Sequence, residues 1–337
     1  MIPTGALRPN IALAVAAVMV VIAIGAGAAV GVVTRPTPSV EPSARPVPTA
    51  TPEPDTGPLV FKQPLTAGCA TDDAVWVVSD GGGIGRFDRL LLHWELVDST
   101  LRSLVAAACG PDTVTAVGAF GRVVFIDDLA KTIHADDLGV FNAYAVSLLP
   151  DGALVVGSEG SVQRQSSVGW GKYAEGIGED LYGVVGFAGG SAWMVGAGGV
   201  TYRLEKAGGD VGWKPYETGT TVSLRTIAAT SPTEAIAAGD DGVILRFDGN
   251  WRPLESGVRQ ELRASARVGP ITYVVGDGGT ALAVEGNTVR PIANLITTCA
   301  LRGVFARGNE VWFVGSEGTL AGVWRQSGDR IDHWGTC

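Results

Sequence analysis

Lysine, histidine, methionine and cysteine are all scarce in this chain. Of 337 residues, five are Lys, three are His, three are Met and four are Cys, whereas 20 are Arg. Acidic residues outnumber basic ones by 34 to 25, so the formal net charge at pH 7 is −9. Without a basic excess to displace phosphate counterions, nucleic-acid binding is excluded. The preference for Arg, Ala, Gly, Val and Pro is typical of a GC-rich bacterial genome.

Motifs for catalysis and metal binding are also missing. The three histidines, His93, His134 and His333, share no metal-ligand spacing, and no C-x-x-C pair occurs. Neither a G-x-S-x-G, a P-loop nor a zincin motif is present. The run SDGGGIG resembles a dinucleotide fingerprint, but it links predicted strands and no helix follows it. We therefore expect a protein that is not an enzyme and that needs no cofactor and no metal.

What the chain has in abundance is glycine, in turns that repeat. Seven short apolar strands each run into a Gly-rich turn, and successive turns are 39, 39, 39, 43, 37 and 39 residues apart. The turns begin at Ser79, Gly118, Gly157, Gly196, Gly239, Gly276 and Gly315. A period of this length in a β-rich sequence indicates a β-propeller with one four-stranded blade per repeat. We predict an all-β, seven-bladed propeller over residues 59–337.

The N-terminal part has a different composition. From Ile11 to Val33, 23 consecutive residues are apolar or Gly. As a helix this run would be about 34 Å long, enough to cross a hydrocarbon core of about 30 Å. We predict a transmembrane anchor at 11–33 after a short tail at 1–10. The alternative is a signal peptide cleaved near Ala26-Gly27-Ala28.

Residues 34–58 are rich in Pro, Thr, Ser and Ala, and we predict an extended linker there. Both alternatives for the apolar run predict export. We expect a single-pass protein of a bacterial cell membrane with its propeller on the periplasmic or extracellular side. If the signal is cleaved, the protein would be secreted.

The repeat that begins at Leu224 shows the pattern of a blade most fully. Its strands are LRTIAA, AIAAG, VILRF and WRPLES, and Asp-Gly and Gly-Asn turns separate them. How the ring closes stays open at this point. The outer strand of the closing blade could come from LVFKQ (residues 59–63), from RIDHW near the C-terminus, or from both.

The four cysteines form two pairs that are each about one repeat apart. Cys69 and Cys109 are separated by 40 residues, and Cys299 and Cys337 by 38. In an exported protein this even number predicts two disulfides. We favour Cys69–Cys109 and Cys299–Cys337, each joining neighbouring blades. A Cys69–Cys337 bond that latches the ring, or four free thiols, are the alternatives.

One face of the predicted propeller collects arginines and tyrosines around the central channel. Alignment on the Gly turns places one residue of each repeat at the entrance of its inner strand. These residues are Thr66, Arg102, Tyr144, Tyr182, Arg225, Arg263 and Arg302. They could pair with acids of neighbouring blades and hold the ring, or they could form an anion-binding mouth, because Arg grips carboxylates bidentately.

A second arginine series lies seven residues after the turns, near the ends of the third strands. It contains Arg86, Arg164, Arg203 and Arg246, whereas blades two, six and seven have Phe125, Ala283 and Gly322 at this position. These arginines could simply be solvated strand ends, or they could form a one-sided patch for a protein partner.

The turn VG-x-x-G, a third strand ending in Arg, and the segment RFDGNW (Arg246 to Trp251) resemble the bacterial and plastid photosystem II assembly-factor propellers. The resemblance covers residues 65–337. It implies an exported, seven-bladed, non-enzymatic chaperone that uses an Arg-rich face to hold a segment of a membrane protein. Arg164, Arg203 and Arg246 would then contact the partner.

The segment DGNW also resembles the Asp-box of sialidase-type propellers, in which an Arg cluster binds a carboxylate and a Tyr acts as nucleophile. A carbohydrate-binding or sialidase-like protein is therefore the alternative hypothesis, with its site among the channel-mouth arginines and Tyr182. We favour a membrane-anchored scaffold or assembly factor that binds a protein partner.

Overall fold

Short runs of β-branched and small apolar residues, each ended by Gly, Asp or Asn, form the strands of this protein. The computed structural model describes residues 61, 63–90, 93–100, 102–207 and 210–337. Within these residues, 28 strands form seven antiparallel sheets of four strands each. This confirms the seven-bladed, all-β propeller. The predicted tail, anchor and linker lie outside the described residues.

Blades 1 to 4 use consecutive strands. Blade 1 contains β1 (Leu65–Ala70), β2 (Ala74–Ser79), β3 (Gly83–Asp88) and β4 (His93–Ser99), and blade 2 contains β5 (Leu104–Cys109), β6 (Thr113–Gly118), β7 (Arg122–Asp127) and β8 (Thr132–Asp137). Blade 3 contains β9 (Ala143–Leu149), β10 (Gly152–Gly157), β11 (Val162–Ser166) and β12 (Gly169–Lys172), and blade 4 contains β13 (Leu181–Gly186), β14 (Ala192–Gly196), β15 (Thr201–Ala207) and β16 (Asp210–Pro215).

Blades 5 to 7 follow the same order. Blade 5 contains β17 (Leu224–Ser231), β18 (Glu234–Gly239), β19 (Ile244–Phe247) and β20 (Trp251–Leu254), and blade 6 contains β21 (Leu262–Val268), β22 (Ile271–Gly276), β23 (Ala281–Glu285) and β24 (Thr288–Pro291). Blade 7 contains β25 (Ala300–Arg307), β26 (Glu310–Glu317), β27 (Leu320–Ser327) and β28 (Arg330–Gly335). One-turn 3-10 helices join second to third strands at Ala119–Gly121, Ser158–Gly160, Ala197–Gly199, Asp240–Gly242 and Asp277–Gly279.

Antiparallel order within each blade gives the ring two different faces. The hairpins between second and third strands lie at the end where the inner strands begin, and we call this the mouth face. The hairpins between first and second and between third and fourth strands lie at the opposite end, which we call the tip face. Within the described residues, no helix has the length and apolar character needed to span a membrane.

Large side chains on the second strands fill the space between blades. Trp76, Trp193 and Trp312 occupy equivalent positions and are at most 2% exposed. Each contributes an aromatic area that is among the largest available for packing in a protein core. The blades are thus held together mainly by apolar contacts between sheets.

Within the described residues, no strand is shared between blades 7 and 1. RIDHW lies in β28, so blade 7 is complete from one contiguous segment. Of the other candidate, LVFKQ, the described residues Phe61 and Gln63 are outside any strand. The ring of Phe61 packs in the cluster between blades 7 and 1, and Gln63 accepts a hydrogen bond from the hydroxyl of Ser79 at 2.9 Å.

Ion pairs reinforce the same joint between blades 7 and 1. Arg89 of blade 1 contacts Glu310 of blade 7 at 2.6 Å, and Arg307 of blade 7 pairs with Asp72 of blade 1. Among the described residues, blades 7 and 1 are therefore joined by side-chain contacts.

Both favoured disulfides are present. The Cys69–Cys109 bond joins the inner strands of blades 1 and 2, as predicted. Cys299 and Cys337 are also bonded, but their predicted location in neighbouring blades is wrong. Cys299 immediately precedes β25 and Cys337 follows β28, so both flank blade 7. Because the first and fourth strands of a blade start and end on the same face, the bond ties the two ends of one blade together.

Candidate functional site

Every inner strand has a β-bulge near its start, at the second residue in blades 1 to 6 and at the third in blade 7. In blade 5, Leu224 pairs with Gly239 and Thr226 pairs with Ala238, so Arg225 is the extra residue between them. Bulges re-aim a side chain relative to the regular pleat. The bulged residues of blades 1 to 7 are Thr66, Val105, Tyr144, Tyr182, Arg225, Arg263 and Arg302.

In six of the seven blades the repeated turn starts with Gly, and a backbone carbonyl next to the bulge lies close to it. A Cβ added to Gly239 would lie 2.0 Å from the carbonyl oxygen of Ser223, and one added to Gly118 would lie 1.8 Å from that of Ser103. Blade 1 has Ser79 instead, whose hydroxyl accepts a hydrogen bond from the backbone N–H of Gly83 at 2.8 Å. The repeated Gly of the sequence is therefore a packing requirement of the channel mouth.

The prediction that Arg102 belongs to the channel mouth is wrong. Leu104, and not Leu101, pairs opposite Gly118, so Val105 takes the bulged position in blade 2. Arg102 precedes β5 and forms an ion pair with Asp137 at 2.9 Å. The segment LRSLVA contains two Leu residues three positions apart, and repeat spacing alone does not choose between them.

Five of the other six predicted residues come together in one cavity, and the sixth, Thr66, lines the neighbouring cavity between blades 6, 7 and 1. Tyr144, Tyr182, Arg225, Arg263 and Arg302 line a channel cavity of about 180 Å³. The rings of Tyr144 and Tyr182 have centroids 5.4 Å apart, and the guanidinium of Arg225 lies 4.3 Å from the ring centroid of Tyr182. A continuous strip of aromatic and cationic groups thus runs round the mouth from blade 3 to blade 7.

Two of the three arginines are neutralised within their own blades. Arg225 donates to both carboxylate oxygens of Asp240 at 2.7 Å, and Arg263 donates to those of Asp277 at 2.6 and 2.8 Å. These hydrogen bonds raise the pKa values of both guanidinium groups and outweigh burial. The hydrogen bonds from Arg263 also hold the pKa of Asp277 below its usual value. Such bidentate pairs fix the position of both partners.

Arg302 differs from its two neighbours. Its side chain is 36% exposed, and its ion pair is with Asp277 at 3.6 Å, whose two oxygens already accept from Arg263. Burial and the positive charge of Arg263 lower the pKa of Arg302. Arg302 also lines a second cavity of about 540 Å³, which opens between blades 6, 7 and 1 on the mouth face. It is thus the least compensated cation at the channel, and it faces an open space.

Tyr182 is held in its neutral form. Burial raises its pKa, and this effect together with the nearby Asp180 outweighs the opposing charge of Arg225. Its hydroxyl lies 3.4 Å from the carboxylate of Asp180. A nucleophilic phenolate needs a lowered pKa, so this environment disfavours such a role.

The second arginine series lies on the third strands, as predicted, but its side chains are occupied. Arg86 contacts Asp88, Glu95 and Asp128 and is only 9% exposed. Arg164 pairs with Asp151 and stacks on Tyr173. Arg203 pairs with Glu205, donates to the carbonyl of Pro232 and lies over the ring of Tyr216. Arg246 donates to Asn287 and pairs with Glu234.

Several of these contacts brace one blade against the next. Arg86 of blade 1 reaches Asp128 of blade 2, and Arg246 of blade 5 reaches Asn287 of blade 6. Their side chains are 9–22% exposed. Arg86, Arg203 and Arg246 thus contact a neighbouring blade, whereas the contacts of Arg164 with Asp151 and Tyr173 are within blade 3.

A fifth member of this series was missed by the sequence analysis. Repeat spacing predicts Gly322 as the blade 7 equivalent of Arg86. In the structure Arg86 pairs with Trp76 across the strands, and the residue that pairs with the equivalent Trp312 is Arg325. The hairpin between β26 and β27 continues through Glu317 and Leu320, so it is three residues longer than in blade 5. Arg325 lies over the rings of Trp312 and Trp334 and pairs with Asp332.

The described residues contain no group of three or more His, Cys, Asp or Glu side chains that could hold a metal ion. His333 stacks on Trp324, and burial lowers its pKa. His134 contacts Asp136 on the surface at 3.0 Å.

No protein-family model and no curated protein matches this sequence. Solved structures that match include a YCF48 propeller bound to a D1 peptide, with a TM-score of 0.63, 15% identity, and coverage of 77% of this chain and 92% of that one. YCF48 from Cyanidioschyzon merolae matches with a TM-score of 0.62, 13% identity and coverage of 77% and 95%. The WD40 propeller domain of Doa1 matches with a TM-score of 0.65, 14% identity and coverage of 78% and 93%.

At these identities the likeness shows the fold alone. The chain is a seven-bladed β-propeller with bulged inner strands and a channel mouth of arginines and tyrosines. The YCF48 propellers and the WD40 propeller of Doa1 share this architecture with the chain.

Proposed function

We propose that this protein is a non-catalytic, exported scaffold that holds an extended segment of a partner protein at its channel mouth. In this proposal a carboxylate of the segment, either an acidic side chain or a chain terminus, binds Arg302. The observation that carries it is the position of Arg302 between the channel and the 540 Å³ cavity, with its ion-pair partner already held bidentately by Arg263.

The bidentate pairs of Arg225 and Arg263 support this role by fixing the wall against which a ligand would lie. The ring pair of Tyr144 and Tyr182 offers an apolar surface with polar tips, a combination common where proteins bind peptides. Binding of a D1 peptide by a YCF48 propeller is consistent with a segment-binding role for a propeller of this fold.

The export part of the proposal depends on other residues. Two disulfides are typical of an oxidising compartment. The apolar run at 11–33 would tether the propeller to a membrane, with the Pro-rich segment as a spacer. The partner would then be a protein of the same membrane or its outer side, and a segment of a membrane protein is the kind of partner that the tether favours.

The test is capture by photo-cross-linking of the full-length protein in its native membrane, with Arg302→Gln compared with the wild type. The control is Arg259→Gln, which removes the same charge from an exposed position before β21 on the mouth face. We expect Arg302→Gln to lower capture of a specific protein at least tenfold and Arg259→Gln to leave it unchanged. Equal capture by all three proteins would refute the assignment of Arg302.

The alternative is recognition of an acidic sugar, since three arginines and Tyr182 share the mouth. Sialyllactose binding that Arg302→Gln abolishes would favour it, and hydrolysis of a sialoside that Tyr182→Phe abolishes would identify an enzyme. We favour the scaffold because the raised pKa of Tyr182 disfavours its role as a nucleophile.

A further inference from the structure

Three hairpins on the tip face carry exposed aliphatic side chains at the same position of the repeat. They connect third to fourth strands in blades 1, 2 and 3, and their residues Leu90, Leu129 and Val168 are 84, 80 and 96% exposed. The equivalent positions of blades 5, 6 and 7 are polar, namely Asn250, Asn287 and Asp329. Among these six blades, the large apolar tips are therefore confined to the contiguous blades 1 to 3.

A groove opens beside these tips, between blades 2 and 3. Its volume is about 660 Å³, and its walls include Phe125, Leu148 and Pro150. Phe125 stands where blades 1, 3, 4, 5 and 7 have the third-strand arginine. The groove thus lies at a joint where no arginine of that series is available as a brace.

The surroundings of the tips and groove are acidic. Asp73, Asp112 and Asp151 recur in the first hairpins of blades 1, 2 and 3 and are exposed, and Asp151 pairs with Arg164. Asp127 lines the groove itself. The apolar tip hairpins of blades 1 and 2 also contain Arg89 and Lys131, which pair with Glu310 and Asp128, so this side of the tip face presents apolar side chains among acidic residues that outnumber the basic ones.

We infer that blades 1 to 3 of the tip face bind a basic amphipathic segment of a partner protein. Its apolar side chains would contact Leu90, Leu129 and Val168 and enter the Phe125 groove, while its Lys and Arg side chains would face the aspartates. A bilayer is disfavoured as the occupant, because anionic lipids attract basic surfaces and would be repelled here. The surface is opposite the channel mouth and shares no residue with it.

The probe is a synthetic amphipathic helix of Leu and Lys with one photoreactive residue, and its counterpart has Glu in place of Lys. Each is cross-linked to the full-length protein, and the sites are mapped by mass spectrometry. We expect the Leu/Lys helix to label the tips of blades 1 to 3, with at least a tenfold loss between 50 and 500 mM salt. Labelling by the Leu/Glu helix should be at least fivefold weaker.

The variant is Leu129→Ser with Val168→Ser, and its matched control is Val140→Ser, a fully exposed aliphatic residue between β8 and β9 on the mouth face. The double variant should lose labelling at least fivefold and the control should not. Phe125→Arg, which introduces the arginine of the other blades, should have the same effect. If that variant fails to fold, the tip variant alone decides, since its substitutions are on the surface.

Two further cross-linking experiments test whether something other than a basic protein segment binds this surface. The first uses a photoreactive phosphatidylglycerol in nanodiscs. If this lipid labels the tips of the wild type and labels those of the double variant less, the surface binds a bilayer and the inference is overturned. In the second, cross-links between tips of two copies would assign the surface to self-association and overturn the inference as well. Loss of channel-mouth binding by Arg302→Gln leaves these outcomes unchanged, so the two proposals fail separately.

Discussion

Burial distinguishes the third-strand arginines from the arginines of the channel mouth. Arg86 is 9% exposed and lies against the ring of Trp76 with three carboxylates around it. Arg302 is four times more exposed and has one ion pair, at 3.6 Å. A buried and hydrogen-bonded charge is costly to leave unpaired, whereas a half-exposed one is free to change partners. The same residue type therefore serves as a brace in one place and is available for a ligand in the other.

Asp128 is the residue on which the Arg86 brace depends. Its carboxylate is 5% exposed, and burial raises its pKa, but hydrogen bonds from Lys131 and Thr71 and the charge of Arg86 lower it by more. Its pKa in the folded state is thus below the unfolded value of about 3.9. The ionised form stabilises the fold above that value, and this contribution is lost as the pH falls through the folded pKa.

We therefore expect Asp128→Asn to lower the free energy of unfolding by about 3 kcal/mol at pH 7, because Arg86 stays buried with one charge fewer beside it. The difference from the wild type should shrink below about pH 4. Urea denaturation at pH 7 and pH 3 measures it. Asp136→Asn, at a surface carboxylate 47% exposed, is the control and should cost under about 0.5 kcal/mol.

At the scale of the element, the bulge and its Gly form one device. The bulge turns a side chain into the channel, and the Gly opposite leaves room for the carbonyl that the bulge displaces. Gly239 itself is extended rather than left-handed, at φ −168°, so it is close approach and not backbone conformation that requires it.

Gly239→Ala tests this device. Its Cβ would lie 2.0 Å from a backbone oxygen, so the inner strand must move, at a cost of about 2 kcal/mol or more. Gly212→Ala in β16 meets no atom within 4 Å and should be close to neutral. Thermal unfolding of both variants gives the comparison. A similar melting temperature for the two would show that the strand accommodates the Cβ freely.

Repeat spacing predicted the blades because six of the seven have Gly, and the first has Ser, at the same position beside the same bulge. It could not predict Val105 in place of Arg102, because Leu101 and Leu104 match the pattern equally well. Nor could it predict Arg325, because the longer hairpin of blade 7 shifts the register by three residues. Repeat spacing also could not predict that Arg302 lacks a bidentate partner. The bidentate hydrogen bonds between Arg263 and Asp277 depend on side-chain geometry, which spacing does not determine.

At the scale of the whole molecule, the ring is closed by contacts between blades 7 and 1. Phe61 is 8% exposed in this joint and packs with Trp94, Trp312 and Trp334. A Cβ on Gly85 would lie 1.9 Å from its ring, so the fit there is close. The residue lies before the first strand, yet it belongs to the core.

Phe61→Ala should therefore lower the free energy of unfolding by about 3–5 kcal/mol, as for other buried Phe residues. Phe120→Ala removes the same ring from a position 64% exposed and should change it by under about 0.5 kcal/mol. Guanidinium denaturation followed by tryptophan fluorescence measures both. Equal effects would mean that Phe61 is not part of the closure.

Completion of blade 7 from a single segment has a consequence for the history of the molecule. Because each blade is encoded by one uninterrupted stretch, duplication or loss of one repeat length in the gene adds or removes a whole blade and leaves no strand without its neighbours. A propeller closed by a shared strand lacks this freedom, since its ends are committed to each other. Tandem copying of a single hairpin pair would therefore suffice to assemble the ring, with Phe61 added where the first and last copies meet and the second disulfide joining the two ends of the last copy.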